Sequence, residues 1–308
     1  MFAADSPFFA QARLAVRMLR IVAEESTLAL KGGTAINLFY RNQPRLSVDL
    51  DLTYLPVEPR EASLRAISAA LERIARAAEA RLPRMRAHTG GAADGKLVAQ
   101  QDRTTVTIEV NPVLRGSVFG AGRIDAQPQV EELFGDVAAH VLAFEDVYGG
   151  KLVAALDRQH PRDLFDVKLL LETEGITERL LDAFVVYLAS HGRPIAEVLR
   201  SRNKDLQTVF EREFAAMTRD PVTLDVLLTA RDRMIVELRR SLLPRHKAFL
   251  LGIKRIEPQW DLVPFPHIRE LPAIQWKLQN LEKWKTDQPR RYGAAVAELE
   301  HVLENFGS

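Results

Sequence analysis

The apolar period changes along this chain, and that change limits its possible folds more than any other feature. Up to residue 110, short runs read as strands: Ser47 to Leu55, which alternates polar and apolar residues, then Arg84 to Thr89, Lys96 to Gln101 and Thr104 to Val110. Gly90-Gly91 and Asp102-Arg103 supply turns between them, and Pro112 stops the last run. Helical spacing is interleaved. Ser6-Pro7 reads as a helix start, with Ala12, Ala15, Val16, Leu19 and Val22 as the apolar stripe of a helix reaching about Glu25. Leu28-Ala29-Leu30 is a short strand ended by Gly32-Gly33, Thr34 to Tyr40 a helix, and Glu61 to Leu82 a long amphipathic helix. From Phe144 onward the spacing is helical to the end, broken at Pro161, Gly175, Gly192 to Pro194, Pro244 and Pro258 to Pro272. The expectation is an α+β fold: a mixed sheet with helices over residues 1–175, then an all-α domain over 176–308.

Composition removes several function classes. The 308 residues are 47% apolar and 27% charged, values of a folded chain that can bury a large core. There are no cysteines, which excludes disulfide frameworks, thiolate zinc sites, iron–sulfur clusters and cysteine nucleophiles. No apolar run approaches the roughly 18–20 residues of a membrane span. The first residues lack the order of a signal peptide. A cytoplasmic protein without membrane contact is therefore expected. The seven histidines show no ligand spacing, and no nucleophile elbow is present. Trp260, Trp276 and Trp284 read as core or domain-junction anchors. The net charge of +1 argues against a uniformly basic coat for nucleic acid. Two stretches are locally basic: Arg60 to Arg86, with seven arginines against three glutamates, and Arg231 to Arg255, with eight Lys/Arg against two acids. Each is either a solvated helix face or a phosphate-tracking surface.

Three segments carry chemistry. Lys31-Gly32-Gly33-Thr34 leaves a strand and enters a helix. Glycines permit positive φ and close approach, and a helix start aims N–H groups outward, so a phosphate fits there with the Thr34 hydroxyl as a further donor. The same residues would also serve as a plain tight turn. Asp49-Leu50-Asp51-Leu52 follows. Residues two apart on a strand share a face, so Asp49 and Asp51 point one way while Val48, Leu50 and Leu52 point the other. Two neighbouring carboxylates repel, and a hard cation between them relieves the repulsion. Oxygen-only ligands suit Mg²⁺ (or Mn²⁺), and an exposed edge-strand face is the alternative. Glu109, on the polar face of Thr105 to Val110, is a third acid if its strand neighbours the first. It would then be a metal ligand or a base, with two metals as one arrangement; taken alone, it reads as an exposed strand residue.

Together these features resemble the nucleotidyltransferase superfamily. With Lys151 to Arg158 (KLVAALDR), Pro161 to Val167 (PRDLFDV) and Leu271 to Leu281, the chain looks like the AbiEii/AbiGii toxin family, the toxin half of bacterial abortive-infection and toxin–antitoxin pairs. The likeness covers most of the chain in order. It implies a nucleotidyltransferase-like sheet domain, transfer of NMP from an NTP with Mg²⁺, and RNA as acceptor, with the tRNA 3′ end favoured. It also implies an antitoxin encoded nearby. Lys31, Gly32, Gly33, Thr34 and Lys151 would bind nucleotide, Asp49, Asp51 and Glu109 the metal, and Asp166 would support the centre. Many superfamily members carry Ser after the first glycine. Here Gly33 stands there, so either Thr34 or backbone amides would hold the outer phosphates.

The Lys151 segment also reads without the family. Lys151, Ala155 and Arg158 share one helix stripe, and Arg162, Asp163 and Asp166 can pair locally after the Pro161 restart. A salt-bridge network joining two helices is the alternative to a phosphate contact, with Arg158, Arg162 and Asp163 as its supports. Rival functions are a nucleotidyltransferase or phosphotransferase acting on a protein or small molecule, and a nucleotide-binding module without turnover.

Overall fold

The computed structural model describes residues 2, 7–91 and 94–306, so the Ser6 cap lies outside the described residues. The chain divides into two compact units, Met1–Val147 with Phe210–Val222, and Tyr148–Val209 with Thr223–Ser308. The division falls at 147/148 rather than near 175, and a later segment returns to the first unit.

The first unit opens with α1 (Pro7–Val22), β1 (Leu28–Lys31) and α2 (Gly32–Ala35), whose last turn widens into a π-helix over Ile36–Tyr40. Then come β2 (Leu50–Tyr54), α3 (Arg60–Arg81), β3 (Met85–Thr89), β4 (Lys96–Gln101) and β5 (Thr104–Val110). β6 (Ala121–Asp125), α4 (Pro128–Phe134) and β7 (Ala138–Leu142) complete it, the last three unforeseen from the sequence. The strands form one mixed sheet in the order β3-β4-β5-β2-β1-β7-β6. β2 runs antiparallel to β1 and parallel to β5, and β7 runs parallel to β1. The β4–β5 hairpin turns at Asp102, whose φ of 55° a short polar side chain tolerates. Leu30, Leu52 and Val110 lie opposite one another and are buried, so their face of the sheet belongs to the core. α1 and α3 pack on the sheet with Leu14, Leu19, Ile67, Leu71 and Ile74 fully buried.

Residues 210–222 join this unit through Leu46 N–H to Met217 O at 2.8 Å and Arg219 N–H to Pro44 O at 2.9 Å. Met217 then shares a small core with Phe9, Ala12, Leu46 and Val48.

The second unit is helical. The helix α5 (Phe144–Asp157) carries the division, followed by α6 (Pro161–Glu172), α7 (Glu178–Ser190) and α8 (Ile195–Arg200). After α9 (Gln207–Glu213) come α10 (Leu224–Ser241), α11 (Pro244–Arg255), α12 (Pro272–Asp287) and α13 (Pro289–Asn305). Proline opens α6, α11, α12 and α13, where its missing N–H costs nothing. α10 packs on α6, and α11 packs on α7, α12 and α13. Trp260 packs edge-on to Phe249 and Trp284 to Tyr292, whereas Trp276 is 53% exposed and is not a core residue. Among the described residues no helix is long and apolar enough to cross a membrane.

Candidate active site

The acids of the first unit are ordered by strand register. Lys31 on β1 lies opposite Asp51 on β2, Asp51 opposite Glu109 on β5, and Glu109 opposite Lys96 on β4. Directly paired residues of adjacent strands project to the same face, so these four form one row across the sheet in the order plus, minus, minus, plus. The sequence-level juxtaposition of Glu109 with Asp51 is thus realised. The strand itself is shorter than expected. It starts at Leu50, so Ser47 and Asp49 lie in the extended segment before it.

A contact with α2 holds that segment. The Thr34 hydroxyl donates to the Asp49 carbonyl and lies 2.8 Å from Ser47 Oγ, and Thr34 is 1% exposed. The side chain therefore fastens Asp49 to the helix start. Its backbone amide, not its hydroxyl, is left to face a ligand. The Asn37 side-chain amide donates to the Gly33 carbonyl at 2.8 Å and secures the same turn.

The glycines let this turn sit against the acids. Gly32 has a φ of +68°, and a Cβ there would lie 2.7 Å from Asp51 Oδ2. A Cβ on Gly33 would meet Arg45 Nη2 at 2.6 Å and Ser47 Oγ at 3.2 Å. Arg45 is 1% exposed beneath the turn and donates to the Leu46 carbonyl at 2.9 Å. No periodicity in the sequence marks Arg45 as buried, and none marks Lys96 as a neighbour of the acids.

Electrostatics follow the row. Burial pushes the Lys31 ammonium below its usual range, and the charge of Asp51 opposite offsets part of that. The Lys96 ammonium is raised, first by its hydrogen bond to Glu109 and then by the Glu109 charge, with Asp49 adding to it. Lys96 Nζ sits 2.8 Å from Glu109 Oε1. Among the described residues, no three His, Cys, Asp or Glu side chains converge on one point as a metal cluster. Glu109 is turned to Lys96 instead. The donor set nevertheless fits a hard divalent cation at Asp49 and Asp51: all oxygen, with the Asp51 carboxylate facing a gap that only glycine leaves open.

Lys151 and Asp166 lie in the second unit, within a buried ionic knot. Lys151 Nζ is 3.0 Å from Asp163 Oδ1 and 3.0 Å from Asp166 Oδ2. Arg158 forks onto Asp163 at 2.6 and 2.9 Å. Lys151 is 6% exposed and both aspartates 0%. Burial alone would raise the Asp163 carboxyl, but the Lys151 charge and the Arg158 hydrogen bonds outweigh it and hold the acid well below the carboxylate range. α6 starts as expected at Pro161, with His160 Nδ1 accepting from the Arg162 amide. A salt-bridge network joining the two helices, the alternative reading of this segment, is present through Lys151 and Arg158.

The basic stretches are largely paired. On and after α3, Arg73 forks onto Glu25 at 2.7 Å, Arg81 pairs Glu24, and Arg84 lies 3.1 Å from Asp102. Arg65 and Arg76 reach Glu61 and Glu72 only at 3.9 and 3.8 Å. In the second unit Arg245 holds Glu178 and Asp182, and Arg255 holds Glu300. Lys254 is buried over the Trp284 ring at 4.3 Å.

A mixed sheet with Asp51 on one strand and Asp49 just before it, a further acid on the parallel neighbour and a glycine turn at the next strand's end is the layout expected of a nucleotidyltransferase-type protein. Family comparison agrees: residues 13–280 match the model of the nucleotidyl transferase AbiEii toxin family, type IV toxin–antitoxin system. The chain belongs to that family. Among solved structures it is similar to MenT4, a nucleotidyltransferase toxin from Mycobacterium tuberculosis. The TM-score is 0.58 at 16% identity, covering 89% of this chain and 93% of that one, which shows a shared fold. No curated protein matches significantly in sequence.

Proposed function

We propose that this toxin transfers NMP from an NTP to RNA, with the tRNA 3′ acceptor end favoured, and releases pyrophosphate. The observation that carries the reading is the row Lys31–Asp51–Glu109–Lys96, with the Gly32–Gly33 turn placed against Asp51. Asp49 and Asp51 would hold Mg²⁺ (or Mn²⁺). Such a cation supplies charge neutralisation at the reacting phosphate.

The chain's own residues do the rest. Backbone amides of the Gly33–Thr34 helix start face the outer phosphates, which suits an anion. Lys31, half-buried beside Asp51, adds a positive charge whose effect is enlarged by partial desolvation. Once Lys96 releases it, Glu109 would either complete the metal site or accept the proton of the acceptor hydroxyl. A role for Lys151 on the triphosphate, and for Asp166 behind it, rests on the family resemblance. Membership in a type IV family implies a cognate antitoxin, which this reading takes to be encoded nearby.

RNA phosphate contacts are best supported on α3. Its weakly held arginines, Arg65 and Arg76, are exposed and can exchange a long ion pair for a phosphate. The site is proposed to act in the cytoplasm, where NTP and tRNA meet.

The test is incubation with each labelled NTP in turn, with Mg²⁺ and total RNA. Label on RNA with the parent, and none with Asp51→Asn, supports the reading. Label on a protein or small molecule would keep the transferase chemistry and replace the acceptor. No labelled product with any NTP would overturn it.

A further inference from the structure

The lysine at the far end of the row has no part in the family resemblance, yet the chain takes pains to place it. Gly95 has a φ of +56°, and a Cβ there would strike the Val110 carbonyl oxygen at 2.2 Å. Only glycine can stand at that point. The left-handed turn lets the Gly95 carbonyl accept from the Val110 amide at 2.7 Å, and Lys96 carbonyl accepts from Gly90 at 2.8 Å. β4 therefore begins with Lys96 in register with Glu109, and the side chains meet at 2.8 Å. The charge of Asp49 acts on Lys96 too. One lysine thus serves the acids that a divalent cation would also serve.

Resting on the metal-site reading above, we infer that Lys96 is the resident counter-cation of Glu109 and competes with the incoming divalent cation for it. Two carboxylates side by side in the row repel each other. With Lys96 on Glu109, one of the two charges is answered and the site is stable without metal. When a cation occupies Asp49 and Asp51, its charge opposes the lysine's, and the exposed pair opens at little cost. The side chains of Lys96 and Glu109 are 46% and 52% exposed, so water takes the place of each partner. Glu109 is then free to join the metal or to take a proton. Lys96 is a positioning residue, acting through Glu109.

The experiment is a titration of the purified protein with Mn²⁺ alone, without nucleotide, at low salt, following free Mn²⁺ by electron paramagnetic resonance. Lys96→Met should bind Mn²⁺ about two- to fivefold more tightly than the parent, the range an exposed ion pair allows. Lys96→Arg, which keeps the charge, should bind like the parent. In a Glu109→Gln background, Lys96→Met should give no gain. That arm separates competition for Glu109 from mere removal of a nearby positive charge, which would tighten binding with either residue at 109. The inference is overturned if Lys96→Met binds no more tightly than the parent, or if its gain persists with Gln at 109. Asp51→Asn in the same titration tests the parent reading. If Asp51→Asn weakens Mn²⁺ while Lys96→Met changes nothing, only this inference falls. If Asp51→Asn changes nothing, the metal site itself is misplaced and the inference falls with it.

Discussion

Two ionic clusters in this protein use the same residue types and treat them oppositely. The sheet row of the first unit pairs Lys96 with Glu109 at 2.8 Å, with both side chains about half exposed. The helical knot of the second unit pairs Lys151 with Asp163 and Asp166 at 3.0 Å, with all three side chains at or below 5% exposure. Distance does not separate them; solvent does. Water screens the row, so its partners exchange cheaply and a cation or substrate can enter. The knot has already lost its water. Removing one member strands a buried charge, which is costly, so the knot resists exchange and fixes α5 against α6. A loosely held acid suits chemistry, and a tightly held one suits architecture.

The largest contrast should come from removing one acid from each cluster. Asp51→Asn should cost at least about 10²–10³ in turnover, as losing a key electrostatic group at a reacting centre does. Its thermal midpoint should stay close to the parent's, because a partly exposed acid outside the core carries little stability. Retained nucleotide transfer would remove Asp51 from the site.

Asp163→Asn should do the reverse, destabilising the fold by about 3–5 kcal/mol because Lys151 and the Arg158 fork lose their shared partner. The same residue sets an acid limit. Its folded pKa lies below the ordinary aspartate value of 3.8, so its stabilisation is complete above that value. It is lost as pH falls further and the folded state must take up the proton. Denaturant midpoints of parent and variant should therefore run parallel from pH 7 to about pH 5, begin to approach each other below about pH 4, and still differ at pH 3. Curves parallel over the whole range would show that Asp163 is not the acid-sensitive group.

Lys151→Met sharpens the comparison, because the family resemblance gives this lysine a phosphate and its surroundings give it two aspartates. If it touches the triphosphate, turnover should fall by about 2–4 kcal/mol of transition-state stabilisation in protein shown to be folded. Lys151→Arg should not restore it, because a planar fork does not replace a compact ammonium. Turnover that drops only as far as the folded fraction drops would leave Lys151 to the architecture.

Much of this was legible in the sequence, for local reasons. Alternation marked β5, turn residues bounded β4, and the Asp102 turn joined them as expected. The acid pair and the glycine turn could be read because each is a short run with its own physical signature. What the sequence hid depends on distant partners. β7 pairs with β1 across more than a hundred residues, and its AAHVL run carries little strand signal. β6 is mostly exposed and shows no buried alternation to find. Thr34 looked like a phosphate donor, but its hydroxyl is occupied by Ser47 and Asp49. Residues 210–222 join the first unit through Met217, which no local pattern could show. Lys96 was visible only as a strand residue. Its importance is a matter of register, and register needs the partner strand.

The smallest expected effect concerns the exposed arginines of α3, which extend the logic of the row to a whole face. Arg73 and Arg81 are held by Glu25 and Glu24 and should contribute little to an acceptor. Arg65 and Arg76 are held only at 3.9 and 3.8 Å by neighbours on their own helix. Changing Arg65 and Arg76 together to Gln should leave stability within about 0.5 kcal/mol per site. If they track single-stranded RNA, the slope of log affinity against log salt should shrink by about 0.7 for each phosphate no longer neutralised. NTP binding should survive, because the turn at Gly32 and Gly33 is untouched. The same double change at Arg73 and Arg81 should leave the slope as it was while loosening α3 from Glu24 and Glu25. RNA affinity measured at two salt concentrations decides it. Equal slopes for parent and the Arg65/Arg76 variant would put the acceptor on another face, and a weaker slope confined to the Arg73/Arg81 variant would mean that the well-held arginines, not the loosely held ones, meet the RNA.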